Sequence, residues 1–240
     1  MKYLKNKSYF EYDCLCALEI KQTEELYEKG VRMVGRIKSI RESAGIPKRF
    51  LNKNFSNYDF KNNPKAYRTC INYARNFPAL FKEGRGLYMA GGIGTGKTHL
   101  AVAIIDYIAR MHKRKYSYNI LFRSVVDLVA ELKARLRNNK PIDHLIKECE
   151  VCDLLILDDI GVENETEWTT ELFYKIINTR YTNMLPVVIT TNLHPEQMDR
   201  NKTQRVISRI MECCQGVEFD GIDYRKEHRG GKGRNGSRLF

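Results

Sequence analysis

The chain has 240 residues, 42% hydrophobic and 29% charged, an ordinary balance for a globular protein and enough length to bury a sizeable core. No apolar run reaches the length of a membrane span, and the opening MKYLKNKSYFEYD is charged without an apolar h-region, so a cytoplasmic location with no membrane partner is expected. The net charge of +12 favours a polyanionic partner, nucleic acid first, over an acidic protein surface or a membrane.

Seven cysteines are expected to be reduced in such a compartment. Cys14-x-Cys16 and Cys149-x-x-Cys152 have metal-like spacing, but neither has the second clean pair that a closed zinc site needs. Residues 1–17 show no clear period. From Leu18 to about Ala44 apolar side chains at Tyr27, Val31, Val34, Ile37 and Ile40 share one helical face. Gly30 and Gly35 each cost such a helix about 1 kcal/mol relative to Ala, so a bend or break is expected. This basic amphipathic segment either packs on the core or docks a partner protein. Gly45–Phe60 reads as a linker with spaced aromatics.

Asn63 and Pro64 open a helix with the stripe Tyr67, Cys70, Ile71, Ala74 and Phe77, expected to end at Pro78. Lys82–Gly86 turns into an apolar strand, Leu87–Ala90, followed by GGIGTGKTH. Gly91, Gly96, Lys97 and Thr98 satisfy G-x-x-x-x-G-K-[ST], the phosphate-binding loop. Glycines let backbone N–H groups converge on phosphate oxygens, and the following helix adds the positive end of its dipole. Gly91, Gly92, Ile93, Gly94, Thr95, Gly96, Lys97, Thr98 and His99 are therefore the candidate nucleotide-binding residues. Lys97 would neutralise β/γ-phosphate charge, and the Thr98 hydroxyl would ligate Mg²⁺.

The next helix carries Leu100, Ile104, Ile105, Ile108 and Met111 and finishes in Arg110, Lys113, Arg114 and Lys115. A strand is expected at Asn119–Arg123, then a helix capped by Ser124-x-x-Asp127 and carrying Val126, Val129, Leu132 and Leu136. Lys133, Arg135, Arg137 and Lys140 load its outer face and end. Asp153–Leu157 is a continuous apolar strand, followed by a helix through Trp168, Leu172, Phe173, Ile176 and Ile177. Pro186–Thr191 is a strand, Thr203–Glu212 a helix and Val217–Asp220 a short strand. This alternation predicts an α/β fold with a parallel sheet between helices. The tail from Arg225 is basic and glycine-rich, expected to be flexible and either solvated or in contact with nucleic-acid phosphates.

Three further pieces accompany the phosphate loop. Asp158 and Asp159 end the apolar run LLILDD, where open α/β sheets bind ligands; Asp158 would hold Mg²⁺ and Asp159 would orient the attacking water. Asn192, after Thr190 and Thr191, offers an uncharged amide to the γ-phosphate or the water. Arg205 and Arg209 share a helical face, and an arginine aimed at a neighbouring subunit's γ-phosphate stabilises transition-state charge; a solvated helix face is the plainer alternative.

The order GGIGTGKT, LLILDDIG, VVITTN, RVISRI and DYR resembles the AAA+ ATPases of the DnaC/IstB group, and within it helicase loaders of the DnaC type. AGIPKRF and the spaced F-x-N-Y-D-F upstream, with FDGIDYR downstream, are its more particular marks. The resemblance implies a P-loop AAA+ domain at residues 56–224, a helical helicase-gripping arm at residues 1–55 and a basic tail at residues 225–240. It implies ATP and Mg²⁺ as cofactors, and it makes Asn192 the sensor 1 amide and Arg209, with Arg205 beside it, the trans arginine finger. Arg225 falls at the sensor 2 position and the Ser124–Asn138 region would face single-stranded DNA. The implied activity is ATP-driven loading of a replicative ring helicase by a self-associating spiral. An IstB-like ATPase assisting a transposase, and a nucleotide-gated DNA-binding adaptor with negligible turnover, are the alternatives. Asp159 stands where many AAA+ proteins have Glu, one methylene longer, and only Cys14 and Cys16 remain of the N-terminal zinc module of some relatives.

Overall fold

Strands β1 (Gly86–Gly91), β2 (Ile120–Ser124), β3 (Leu154–Ile160), β4 (Val187–Thr191) and β5 (Cys214–Phe219) form one sheet in the order β2-β3-β4-β1-β5, every neighbouring pair parallel. The computed structural model describes residue 35, residues 37–111, 118–161, 166–193 and 204–224, and residue 226. The chain divides into two units, Met1–Ile40 and Arg41–Phe240, and the sheet lies in the second. Of the expected arm helix, Gly35 and residues 37–43 are helical and residue 44 is in a turn; the rest lies outside the described residues, as do Cys14 and Cys16. Lys113, Arg114, Lys115, Arg225 and residues 227–240 also lie outside them.

The central strands are the continuous apolar runs: β1 and β4 are buried at every residue, and β3 along Leu154–Asp158. The edge strand β5 buries only Cys214, Val217 and Phe219, the mixed pattern of a strand with one wet face. Helices α1 (Pro64–Arg75), α2 (Phe77–Lys82), α3 (Lys97–Met111), α4 (Val125–Arg137), α5 (Asp143–Val151), α6 (Glu167–Thr182) and α7 (Gln204–Cys213) accompany the sheet. Parallel pairing requires such crossovers, and each connection returns the chain so that β1, β3 and β4 end along one edge.

The structure departs from the sequence expectations in four places. The first helix stops at Arg75 rather than at Pro78, which sits in the first turn of a separate helix, α2, where its missing N–H costs nothing. Helix α5 was not expected; its buried stripe Leu145, Ile146 and Cys149 is short and diluted by exposed polar residues. Strand β3 runs on through both carboxylates to Ile160, and β5 begins three residues earlier than Val217. Cys149 and Cys152 are buried, and burial pushes the Cys149 thiol up to about 12.

A buried arginine ties the far edge of the sheet together. Arg180 Nη1 donates to the carbonyls of Cys149 and Cys152, both at 2.9 Å, and Nη2 to that of Pro186 at 2.6 Å. It thereby joins the end of α5 to the starts of β3 and β4.

Candidate functional site

The loop from Gly91 to Gly96 leaves β1 and delivers the chain into α3, whose N-terminal N–H groups face the same cleft. Gly94 has φ +77°, and a Cβ there would lie 1.9 Å from Asp223 Oδ1, so only glycine fits. Thr95 fixes the loop from within, its Oγ1 donating to Gly92 O at 2.8 Å. Two side chains fix it from outside: Tyr58 Oη and Asn63 Nδ2 both donate to Thr95 O, at 3.3 and 3.2 Å. From the opposite side, Tyr224 N donates to Gly94 O at 3.2 Å.

Lys97 is buried, and its ammonium donates to Gly91 O and Gly92 O at 2.7 Å each and to Asn192 Oδ1 at 2.8 Å. The amide at the end of β4 and the lysine at the start of α3 are thus in direct contact. Thr98 Oγ1 donates to Asp158 Oδ2 at 3.2 Å, and Thr190 Oγ1 donates to Asp158 Oδ1 at 2.6 Å. Burial, with Asp159 alongside, pushes the Asp158 carboxyl up to about 6, although Thr190, Thr98 and the Lys97 charge oppose the shift. A buried carboxylate whose two oxygens face hydroxyls, next to a second acid, is a donor set suited to a hard divalent cation.

Adjacent residues on a regular strand face opposite ways, yet Asp158 meets Thr98 while Asp159 lines the cleft. A break in the β3–β4 register between Leu157 and Ile160 accounts for this, with Asp159 at φ +59° and its N–H donating to Thr190 Oγ1 at 2.9 Å. Thr190 therefore holds both acidic residues at once.

His99 lines the cleft edge-on to the Tyr58 ring. Its Nε2 meets Asn54 O at 3.0 Å and Asn57 Oδ1 at 2.9 Å. Both partners are acceptors, so Nε2 carries the hydrogen. Burial lowers the His99 pKa below its ordinary value, which keeps the ring neutral at physiological pH. Ile93 is exposed on the loop's crown.

The cleft measures about 610 Å³, with the loop on one wall and Arg49, Phe50, Lys53, Asn57 and Tyr58 on another. Sequence reasoning placed the first three in the arm and gave none of the five a role, and it missed the bracing by Asn63 and the bridging by Thr190. AGIPKRF and the spaced aromatics were the available signal. Arg205 and Arg209 do not line this cleft. Arg205 is exposed, whereas the half-buried Arg209 guanidinium stands over the rings of Tyr174 and Tyr181.

A family model described as IstB-like ATP binding protein matches residues 18–231. The chain belongs to that family. Its ATP-binding character agrees with the Lys97 loop and the acidic pair opposite it. This IstB-like chain is 28% identical to YdaV of Escherichia coli, an uncharacterized protein, over 85% of its own length and 80% of YdaV. It is 28% identical to the replicative helicase loader DnaI of Bacillus subtilis over 60% of its length, spanning about half (48%) of that protein. Among solved structures, that of the DnaC helicase loader superposes with a TM-score of 0.59 and 30% identity, covering 72% of this chain and 100% of the other. The fold is that of the AAA+ ATPase domains.

Proposed function

We propose that this chain is an ATP-dependent loader that places a replicative ring helicase on single-stranded DNA. The observation that carries the reading is the convergence of Lys97, Asn192, Thr98, Asp158 and Asp159 on one sheet edge, in a chain similar to DnaC and DnaI. The loop N–H groups and Lys97 hold the β- and γ-phosphates, and Thr98 and Asp158 hold Mg²⁺. A bound Mg²⁺ supplies charge neutralisation to the phosphate oxygens. Asp159 orients the attacking water and Asn192 donates its amide N–H to the γ-phosphate.

Arg209 lies outside its own cleft, so its guanidinium serves the γ-phosphate on a neighbouring copy, with Arg205 beside it. Arg225, next to the Tyr224 that is bonded to the loop, serves the γ-phosphate bound to its own copy, in cis. Within residues 1–55, the part that precedes the cleft residues Arg49, Phe50 and Lys53 grips the helicase. The basic surface ending at Arg137 and Lys140, both exposed, meets the DNA backbone, as the net charge of +12 favours. ATP binding drives assembly and grip, and hydrolysis releases the loader.

The test is capture of the host's replicative helicase by the full chain and by a chain lacking residues 1–40, which keeps Arg49, Phe50 and Lys53 in the cleft, together with phosphate release on single-stranded DNA. The reading expects capture by the full chain alone and DNA-stimulated release. The family model also favours a second reading, an IstB-like ATPase assisting a transposase. Capture of the transposase in place of the helicase would establish that one.

A further inference from the structure

Arg209 has an environment that its position on α7 does not explain. Its Cζ stands 5.1 Å from the centre of the Tyr174 ring and 5.7 Å from that of Tyr181. The two tyrosines are seven residues apart on α6, two turns, so both rings rise from one face of that helix. Arg209 Nη1 donates to Arg205 O, one turn back, at 3.2 Å. Its Nε is buried and has no hydrogen-bond partner among the described residues. No carboxylate among them lies within ion-pair distance of it either. The structural arginine Arg180 also has an unpartnered Nε, but its two terminal nitrogens are held by three carbonyls, whereas Arg209 has one carbonyl and two ring faces.

The Tyr174 ring is itself fixed. Tyr174 packs against the hydrophobic core that includes Phe173 and Ile177. The Glu212 carboxylate, on the same helix as Arg209, raises the Tyr181 phenol above its ordinary value.

Aromatic rings attract a guanidinium through their electron-rich faces and make no hydrogen bond to it. They restrict a side chain that otherwise carries much rotamer entropy, yet leave N–H donors for an anion. A carboxylate would also hold the arginine, but it would compete with the phosphate for the charge.

We propose that Tyr174 and Tyr181 are positioning residues that hold the Arg209 guanidinium ready for the terminal phosphate of a nucleotide bound to a second copy of this chain. The inference rests on the shared-site reading above. It adds that the readiness of the finger is set by α6, a helix that contributes no side chain to the cleft of its own copy.

The test follows assembly-stimulated ATP hydrolysis in the full chain, with nucleotide affinity measured separately on dilute protein. Tyr174→Leu combined with Tyr181→Leu is expected to lower stimulated kcat roughly threefold to tenfold and leave nucleotide affinity unchanged. Tyr174→Phe with Tyr181→Phe, which keeps both rings, is expected to retain most of the rate. Replacing those phenylalanines with fluorinated ones of nearly the same shape weakens the ring faces, and the rate is expected to fall step by step with fluorination. That series also covers the case in which the leucine variant does not fold. In an Arg209→Ala background none of these changes is expected to matter, because effects transmitted through one residue are not additive. An unchanged or raised rate in the leucine variant, a flat fluorination series, or a full effect persisting without Arg209 would overturn the positioning role. A fully active Arg209→Ala single variant would instead overturn the shared site itself, and this proposal with it.

Discussion

The ammonium of Lys97 donates to Oδ1 of Asn192 across 2.8 Å, joining the helix after the phosphate loop to the end of β4. A neutral amide holds the lysine without cancelling its charge, so an incoming phosphate can replace the amide as acceptor. A carboxylate in the same place would form an ion pair that phosphate must break.

Asn192→Ala is therefore expected to bind ATP within about threefold of the parent but to hydrolyse it about 10- to 100-fold more slowly, the loss of a hydrogen bond to a charged group. Asn192→Asp is expected to weaken ATP binding itself, by about tenfold or more, through competition for Lys97. Equilibrium binding of a fluorescent ATP analogue and steady-state phosphate release separate the two.

Asp158 makes the nucleotide-free chain sensitive to pH. Its carboxyl, at about 6 in the fold, lies above the ordinary value of 3.8, so the folded state prefers the neutral acid. The corresponding stability is fully present below about pH 4 and is lost as pH rises through 6, amounting to roughly 3 kcal/mol at most. Asp158→Asn is expected to raise the unfolding midpoint of the nucleotide-free chain at pH 8 and to flatten its dependence on pH between 4 and 7. The same variant is expected to lose the Mg²⁺-dependent part of ATP binding. Thermal melts across that range, with and without MgATP, check both.

Most of the site was legible in the sequence because phosphate chemistry constrains neighbouring residues. Gly91–Thr98 must be contiguous to cradle phosphate, and LLILDD announces a buried strand ending in acids. The roles of Tyr58, Asn63 and Thr190 were not legible. Tyr58 and Asn63 act through one hydrogen bond each and Thr190 through two, all to residues 31 to 37 positions away, and no local period encodes such contacts. The register break at Asp158–Asp159 was hidden for the same reason, since two adjacent acids read identically on a regular strand and on a bulged one. In the fold, the continuous apolar strands were visible, whereas α5 was too short and too charged to stand out. Arg209 and Arg205 read as equivalents by spacing. Only the packing of α7 on α6 separates one from the other.

The bracing of the loop has a measurable consequence. Tyr58→Phe removes the hydroxyl that donates to Thr95 O but keeps the ring against His99, so a loss of about 1 kcal/mol in stability is expected. ATP affinity is expected to fall several-fold more than it does for Thr69→Ala, a change to an exposed hydrogen bond on α1 that touches no part of the loop. Denaturant unfolding together with nucleotide titration of both variants provides the comparison.

Arg180 lies at the opposite edge of the sheet and is expected to matter for folding rather than chemistry. Arg180→Leu leaves three carbonyls without their donor in a buried setting and is expected to cost about 3–5 kcal/mol. The fraction that does fold should bind ATP normally. A denaturation midpoint close to that of the parent would show that the carbonyls find other partners.

The shared site is tested most directly by mixing two inactive variants. Lys97→Ala lacks the phosphate lysine but keeps its finger; Arg209→Ala lacks the finger but keeps a complete loop. When two copies meet in one order, the intact Lys97 of one faces the intact Arg209 of the other. The account predicts that each variant alone is nearly inactive in DNA-stimulated phosphate release and that an equimolar mixture recovers a substantial fraction of the parent's rate. A mixture no more active than its components, although both assemble, would contradict it.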